Sequence, residues 1–241
     1  MDKKLVSLAF SFLASVFATN VNAACGDINY ASLTSAAANV LAAGNTGGFG
    51  LNMWVTVVDE TGKVCAVTTT GTTGALASRD EWLGSRVISA QKANTANAFS
   101  LNVVSISTGA LYAAVQPGGS LFGLQESNPV DAEAAYEGSP SKYGRHNDPL
   151  TGKRVGGVNV FGGGLALYKG GVKVGAIGVS GDTSCTDHAF AWKVRDALGL
   201  GTSSPGGFEK LNITGAFAAL GDHPDCYNTT GIDNQAAFGY Q

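Results

Sequence analysis

The run from Phe161 to Ser184, FGGGLALYKGGVKVGAIGVSGDTS, constrains the fold more than any other part of the chain. Leu165 to Lys169 and Val172 to Val179 read as strands joined by Gly170-Gly171, a two-residue loop whose positions both accept positive φ. Strands joined so tightly must be antiparallel neighbours. Gly175 and Gly178 interrupt the second strand. A strand glycine weakens its strand and marks close approach of another backbone or a flat ligand, and tight packing of a helix on the sheet is the commoner cause. Asp182, Thr183 or Ser184 then caps a helix that reaches Leu198 and stops at Gly199.

The same reading extends upstream. Leu33, Ala36, Ala37, Val40 and Leu41 fall on one face of a helix expected between Asp27 and Ala43. The Gly44–Gly48 stretch ends it. Met53 to Val58 and Val64 to Thr70 form a hairpin about Asp59-Glu60-Thr61-Gly62. A second helix starts at Ser78, in a capping box with Glu81, or at Ser85, and runs to about Phe99 with Arg86 and Lys92 as its cations. Ser105 to Val115 reads as a shorter helix stopped by Pro117-Gly118-Gly119. Residues 127–157 carry Pro129, Pro140 and Pro149 without hydrophobic period and read as a surface excursion. Residues 202–241 form a glycine-rich tail. The order predicts an α+β domain, a largely antiparallel sheet with packed helices.

Lys3 and Lys4, the apolar run Leu5 to Phe17 and the small-residue site Val21-Asn22-Ala23 predict a secretory signal peptide over residues 1–23, leaving 24–241 as one domain. The apolar run is too short to span a bilayer. Removing Asp2, Lys3 and Lys4 from a chain of 15 cations and 18 anions leaves a net charge of −4, which attracts neither nucleic acid nor an anionic membrane surface. The expected location is periplasmic or secreted. Sparse charge and abundant glycine suit a homo-oligomer, whose buried faces need few charges. Four cysteines in an oxidising compartment favour two disulfides, and three pairings are open.

Several motifs taken together resemble the GlcG/HbpS-like haem-binding family over about residues 30–200. They are Trp54-Val55-Thr56-Val57-Val58-Asp59, Ser85-Arg86-Val87-Ile88-Ser89-Ala90-Gln91-Lys92-Ala93 and the glycine-rich hairpin. A variant branch is similar also in Gln116-Pro117-Gly118-Gly119, in Gly156-Gly157-Val158-Asn159-Val160, and in paired Cys185-Thr186-Asp187-His188 and His223-Pro224-Asp225-Cys226 elements. The resemblance implies a profilin-like α+β fold, frequent oligomers, and tetrapyrrole binding in some members. The expected cysteine pairing is Cys185 with Cys226, which leaves Cys25 with Cys65.

The paired elements supply two sulfurs and two imidazoles, a tetrahedral zinc set on paper, but export favours the disulfide over thiolates. The bridge would gather His188 and His223 into one neighbourhood. Either imidazole could then serve as a metal ligand, in particular an axial ligand of haem iron, with Trp192 one helical turn on lining an apolar wall. The plainer role for His188 is a hydrogen bond to the tail. The Gly181-Asp182-Thr183-Ser184 turn offers amides at a helix start for haem propionates or a small organic acid. Arg86 or Lys92 could add a cation, but their six-residue spacing puts them on different faces, so at most one reaches a ligand; solvated surface charge is their commoner fate. His146 lies in the polar excursion and is expected to be solvated. No dinucleotide loop, nucleophile elbow, His-Glu-x-x-His or Cys-x-x-Cys-His is present. The leader predicts export, and the resemblance implies a non-catalytic haem or tetrapyrrole-binding protein. The alternative is an enzyme or accessory factor acting on a small organic acid or redox metabolite.

Overall fold

Two hairpins laid side by side make the centre of the molecule. The computed structural model describes residues 24–44, 47–74, 80–201, 207–213 and 219–226; the expected signal peptide lies outside them. In chain order the helices are α1 (Ala24–Asp27), α2 (Tyr30–Ala43), α3 (Gly84–Phe99), α4 (Leu124–Ser127), α5 (Ala132–Tyr136) and α6 (Ser184–Ala197). The strands are β1 (Trp54–Asp59), β2 (Val64–Thr69), β3 (Ser105–Ile106), β4 (Gly164–Lys169), β5 (Val172–Ser180) and β6 (Gly207–Phe208). The main sheet has the order β2-β1-β5-β4, and every pairing in it is antiparallel. This is the α+β class expected from the hairpins.

Alternation along the strands feeds two cores. Met53, Val55, Val57, Ile177 and Val179 pack with Leu33, Ala37, Val40, Phe190 and Val194 under α2 and α6. Trp54, Val58 and Ala176 face the other way, onto Val87, Ala90 and Ala93 of α3. Period-two strands with helices on both faces bury nearly every strand residue, which is why their polarity hardly alternates.

The glycines of β5 are decided by this layering. A Cβ on Gly178 would lie 2.0 Å from the Ser89 carbonyl oxygen and 2.5 Å from the Ala93 nitrogen, so the helix backbone of α3 fills the space. A Cβ on Gly175 would lie 2.1 Å from the Val58 carbonyl of the adjacent strand. Close backbone packing, not a flat ligand, occupies both positions.

Four local expectations are corrected. The first long helix begins at Tyr30 because Asn29 caps it, its side chain accepting from the Ser32 amide. Ser85 lies in the first turn of α3 and caps nothing; Ser78 lies outside the described residues. Ser105–Val115 is not an α-helix but β3 followed by 3-10 turns at Gly109–Leu111 and Ala113–Val115. The tail and β4 capture this backbone: β3 pairs in parallel with β6, and the amides of Ser107 and Thr108 donate to Phe208 and Gly164.

The fourth correction concerns residues 127–157, which are more than a surface excursion. Ala135, Tyr143, Leu150 and Val155 are buried against α3, and Asp148 receives Arg86. Arg86 Nε donates to Asp148 Oδ2 at 3.0 Å, Nη2 donates to Oδ1, and Nη1 donates to the Ala135 carbonyl at 2.9 Å. Its guanidinium carbon stands 3.7 Å from the centre of the Tyr143 ring. Arg86 is thus not a surface charge; it locks the excursion down.

Candidate functional site

The N-terminus of α6 is where the glycine run, the sheet and the tail meet. Thr183 proves to be the cap, its hydroxyl accepting from the Thr186 amide. Asp182 instead folds the preceding loop: its carboxylate accepts from the amides of Phe49 at 2.9 Å and Leu51 at 2.8 Å. The Asp182 amide donates to Asp187 Oδ1, and the Thr183 amide to Asp182 Oδ1. The turn expected to offer amides to an acid has therefore committed those of Asp182, Thr183 and Thr186 to its own carboxylates and hydroxyl. Gly181, at φ 153°, leaves no room for a side chain: a Cβ would lie 2.3 Å from the Asn52 carbonyl.

Beneath this turn, Lys92 and Asp187 form a buried ion pair of 2.8 Å, and Lys92 Nζ also donates to the Val179 carbonyl. Burial raises the Asp187 carboxyl to about 6 against the opposing pull of Lys92. Of the two cations considered, Lys92 thus joins the cluster and Arg86 does not, as their spacing on one helix requires.

Both histidines are in the interior. His223 Nε2 accepts from the Gly162 amide at 3.3 Å while its Nδ1 meets the Pro224 carbonyl at 2.9 Å. His188 Nδ1 accepts from the next amide, Gly163, also at 3.3 Å. Burial lowers the His188 pKa to about 3, helped by the nearby His223 and Arg195, and lowers that of His223 to about 4. Both are neutral imidazoles at physiological pH. The Trp192 ring centre lies 6.2 Å from that of His188, the planes tilted by 47°, and Trp192 does not line the cavity described next. His146 is exposed, with an edge contact to Tyr30.

The disulfides are Cys25–Cys65 and Cys185–Cys226, the expected pairing. Cys185 Sγ, Cys226 Sγ and a His223 nitrogen lie within 4.8 Å of one another, but the sulfurs are joined, so they do not form a thiolate zinc set.

Next to this bridge opens a groove of about 350 Å³, lined by Phe49, Leu51, Trp82, Phe161, residues 182–184, Pro224, Asp225 and Cys226. Its aromatic side chains are conspicuously bare: Trp82 is 66% exposed, Phe49 57% and Phe161 46%. These three residues were not singled out from the sequence. The available signal was local, since Phe49 stands between Gly48 and Gly50 and Phe161 directly precedes Gly162, loop positions where a core residue is not expected. Trp82 carried no such mark.

Fold and site together define an α+β domain with an aromatic-walled surface groove clasped by a disulfide. The chain belongs to the family described as haem-degrading, HbpS-like, whose pattern matches residues 28–196. No curated relative matches the sequence. Among solved structures, Klebsiella pneumoniae protein ORFY is 23% identical with a TM-score of 0.48, over 71% of this chain and 90% of that one. A PduOC–haem complex is 25% identical with a TM-score of 0.47, over 71% and 93%. HbpS is 16% identical with a TM-score of 0.40, over 71% and 89%. Among the described residues, no helix is long and apolar enough to cross a membrane.

Proposed function

We propose that this protein is an exported, non-catalytic binder of haem or a related tetrapyrrole, taken up in the groove beside Cys185–Cys226. The supporting observation is the set of three exposed aromatic rings around one cavity, within a family described by haem chemistry. Such a wall suits a flat, apolar macrocycle, whose faces gain from burial against Phe49, Trp82 and Phe161. The groove is selective in what it offers. Its lining holds Asp182 and Asp225 and, among the described residues, no lysine or arginine, so propionates are directed to solvent. His223 directly precedes Pro224 in the groove wall and is the imidazole assigned to iron; ligation requires Nδ1 to give up the Pro224 carbonyl. His188, held under Gly163, keeps the structural role. Export is supported by the two disulfides, and assembly into a homo-oligomer by bare Leu101 and Val103 outside the groove. The reading as an enzyme for a small acid loses its pocket, because helix and strand backbones fill the space at Gly175 and Gly178.

Titration with haemin tests the proposal. A saturable Soret shift is expected, with Trp82→Ala weakening binding by about tenfold through lost stacking area and His223→Gln moving the Soret maximum. Absence of any saturable shift in the wild-type protein refutes it.

A further inference from the structure

We propose that the Cys185–Cys226 disulfide is a thiol–disulfide exchange site for small dithiols, and that its opening releases the groove's ligand; the second half rests on the ligand reading above. The two sulfurs have unlike surroundings. Cys226 is only 5% exposed but lines the groove, the side from which an incoming thiolate would approach its sulfur. Cys185 is fully buried and is the second residue of α6, a helix of 14 residues. A thiolate leaving there stands at the positive end of the helix dipole, which stabilises negative charge on sulfur. The Ser184 hydroxyl, 3.3 Å from Cys226 Sγ, adds a polar partner on the other side of the bond.

The exchange balances in two steps. One thiolate of the dithiol attacks Cys226 Sγ, forming a mixed disulfide and expelling Cys185 as thiolate. The second thiolate of the reagent then attacks its own sulfur in that mixed bond, closing the reagent into a cyclic disulfide and expelling Cys226. Two electrons and the reagent's two thiol protons end on Cys185 and Cys226.

The other bridge lacks these features. Cys25 Sγ lies 3.8 Å from Asp59 Oδ2 and 3.9 Å from the Lys63 carbonyl, so a departing thiolate would meet oxygen lone pairs and a carboxylate. The four residues of α1 supply no comparable helix terminus. Both Cys25 and Cys65 are nevertheless more exposed than either Cys185 or Cys226, so exposure alone predicts the opposite order of reduction.

Opening the bridge has a defined structural consequence. Upstream, the tail stays held by the Gly221 amide on Ala110, the His223 amide on Asn212 and the Gly162 amide on the His223 ring. Pro224, Asp225 and Cys226 form one wall of the groove, and Cys185–Cys226 is their covalent tie to α6. Reduction loosens that wall and leaves the rest of the fold in place.

The test treats the oxidised full-length protein with graded dithiothreitol, alkylates with iodoacetamide, removes reagents by gel filtration, maps the labelled cysteines and titrates each sample with haemin. Cys185 and Cys226 should label at a dithiol concentration about tenfold below that for Cys25 and Cys65, a potential difference of about 30 mV. The haemin Kd of that species should rise about tenfold, and the Cys185→Ser/Cys226→Ser double variant should reproduce it. Simultaneous labelling, or Cys25 and Cys65 first, overturns the exchange site. Labelling in the expected order with an unchanged Kd overturns the gate. Failure of the oxidised protein to bind haemin overturns the ligand and with it the gate, while the labelling order still decides the exchange site.

Discussion

Glu81 is a buried acid whose charge the fold resists, and Glu81→Gln isolates the effect. The side chain is 6% exposed; Oε2 accepts from the Thr69 hydroxyl, and Oε1 has no hydrogen-bond partner among the described residues. Burial, with the Asp80 charge adding to it, raises its pKa from 4.5 to about 8. A folded-state value above the unfolded one means that the native protein keeps a proton the unfolded chain releases. The stability from Glu81 is therefore complete below pH 4.5 and is lost as pH rises to about 8. At about 1.4 kcal/mol per tenfold, the separation caps the loss at ~5 kcal/mol. Solvent screening from the exposed Asp80 and Trp82 side reduces the expected figure to about 2 kcal/mol. His188 and His223 act in the opposite sense: their values near 3 and 4 lie below the usual 6.5, so their contribution is present above pH 6.5 and lost on acidification. Subtracting wild type from variant removes them. Urea unfolding of both proteins at intervals from pH 4 to 9 should show equal stability near pH 4 and the glutamine variant more stable by about 2 kcal/mol at pH 8 and above. A difference that stays flat across this range, or a variant weaker at pH 8, refutes the reasoning.

Arg86→Met should destabilise by about 3–5 kcal/mol because it strands Asp148 in the interior, and Arg86→Met/Asp148→Leu should recover much of that in urea unfolding. Gly178→Ala should cost about 3 kcal/mol, since the new methyl meets helix backbone that has no side-chain freedom to yield; thermal unfolding measures it. Asp182→Ala frees the amides of Phe49 and Leu51, and hydrogen exchange there should speed by about tenfold, the net worth of roughly one hydrogen bond.

Local chemistry was readable and long-range capture was not. The 164–180 hairpin is encoded in period-two strands flanking Gly170-Gly171, and the start of α6 in three consecutive capping residues, so both appear where expected. Ser105–Val115 carries a helical pattern, yet amides at 107 and 108 find acceptors on Phe208 and Gly164, far along the chain, and the segment becomes a short strand and two 3-10 turns. Residues 127–157 looked like surface because their apolar side chains have no period. Period reports a long regular element; Ala135 is buried from a five-residue helix and Tyr143, Leu150 and Val155 from irregular chain, around an ion pair joining positions 62 apart. The groove draws on segments near 49, 82, 161, 183 and 225, and no local pattern can announce five pieces converging.

Whatever else they bind, the two histidines hold backbone in place. Side chains are excluded at Gly162 and Gly163: a Cβ at the first would lie 2.4 Å from the Ser184 carbonyl, and at the second 2.4 Å from the Val179 carbonyl. Chain this crowded still has two amides to satisfy, and an unmet buried donor costs about 1–3 kcal/mol. A flat, neutral imidazole brings an acceptor edge into a space too narrow for another strand, and His223 and His188 each take one amide. Protonation would turn those acceptors into donors facing donors, which adds to the burial that keeps both rings neutral. The bond from Gly162 to His223 also has a reach beyond itself. Phe161, one residue before the glycine, and Pro224, one residue after the histidine, both line the groove. One hydrogen bond and one disulfide therefore tie together the segments that line the groove, so the histidine proposed for iron also holds the lining in place.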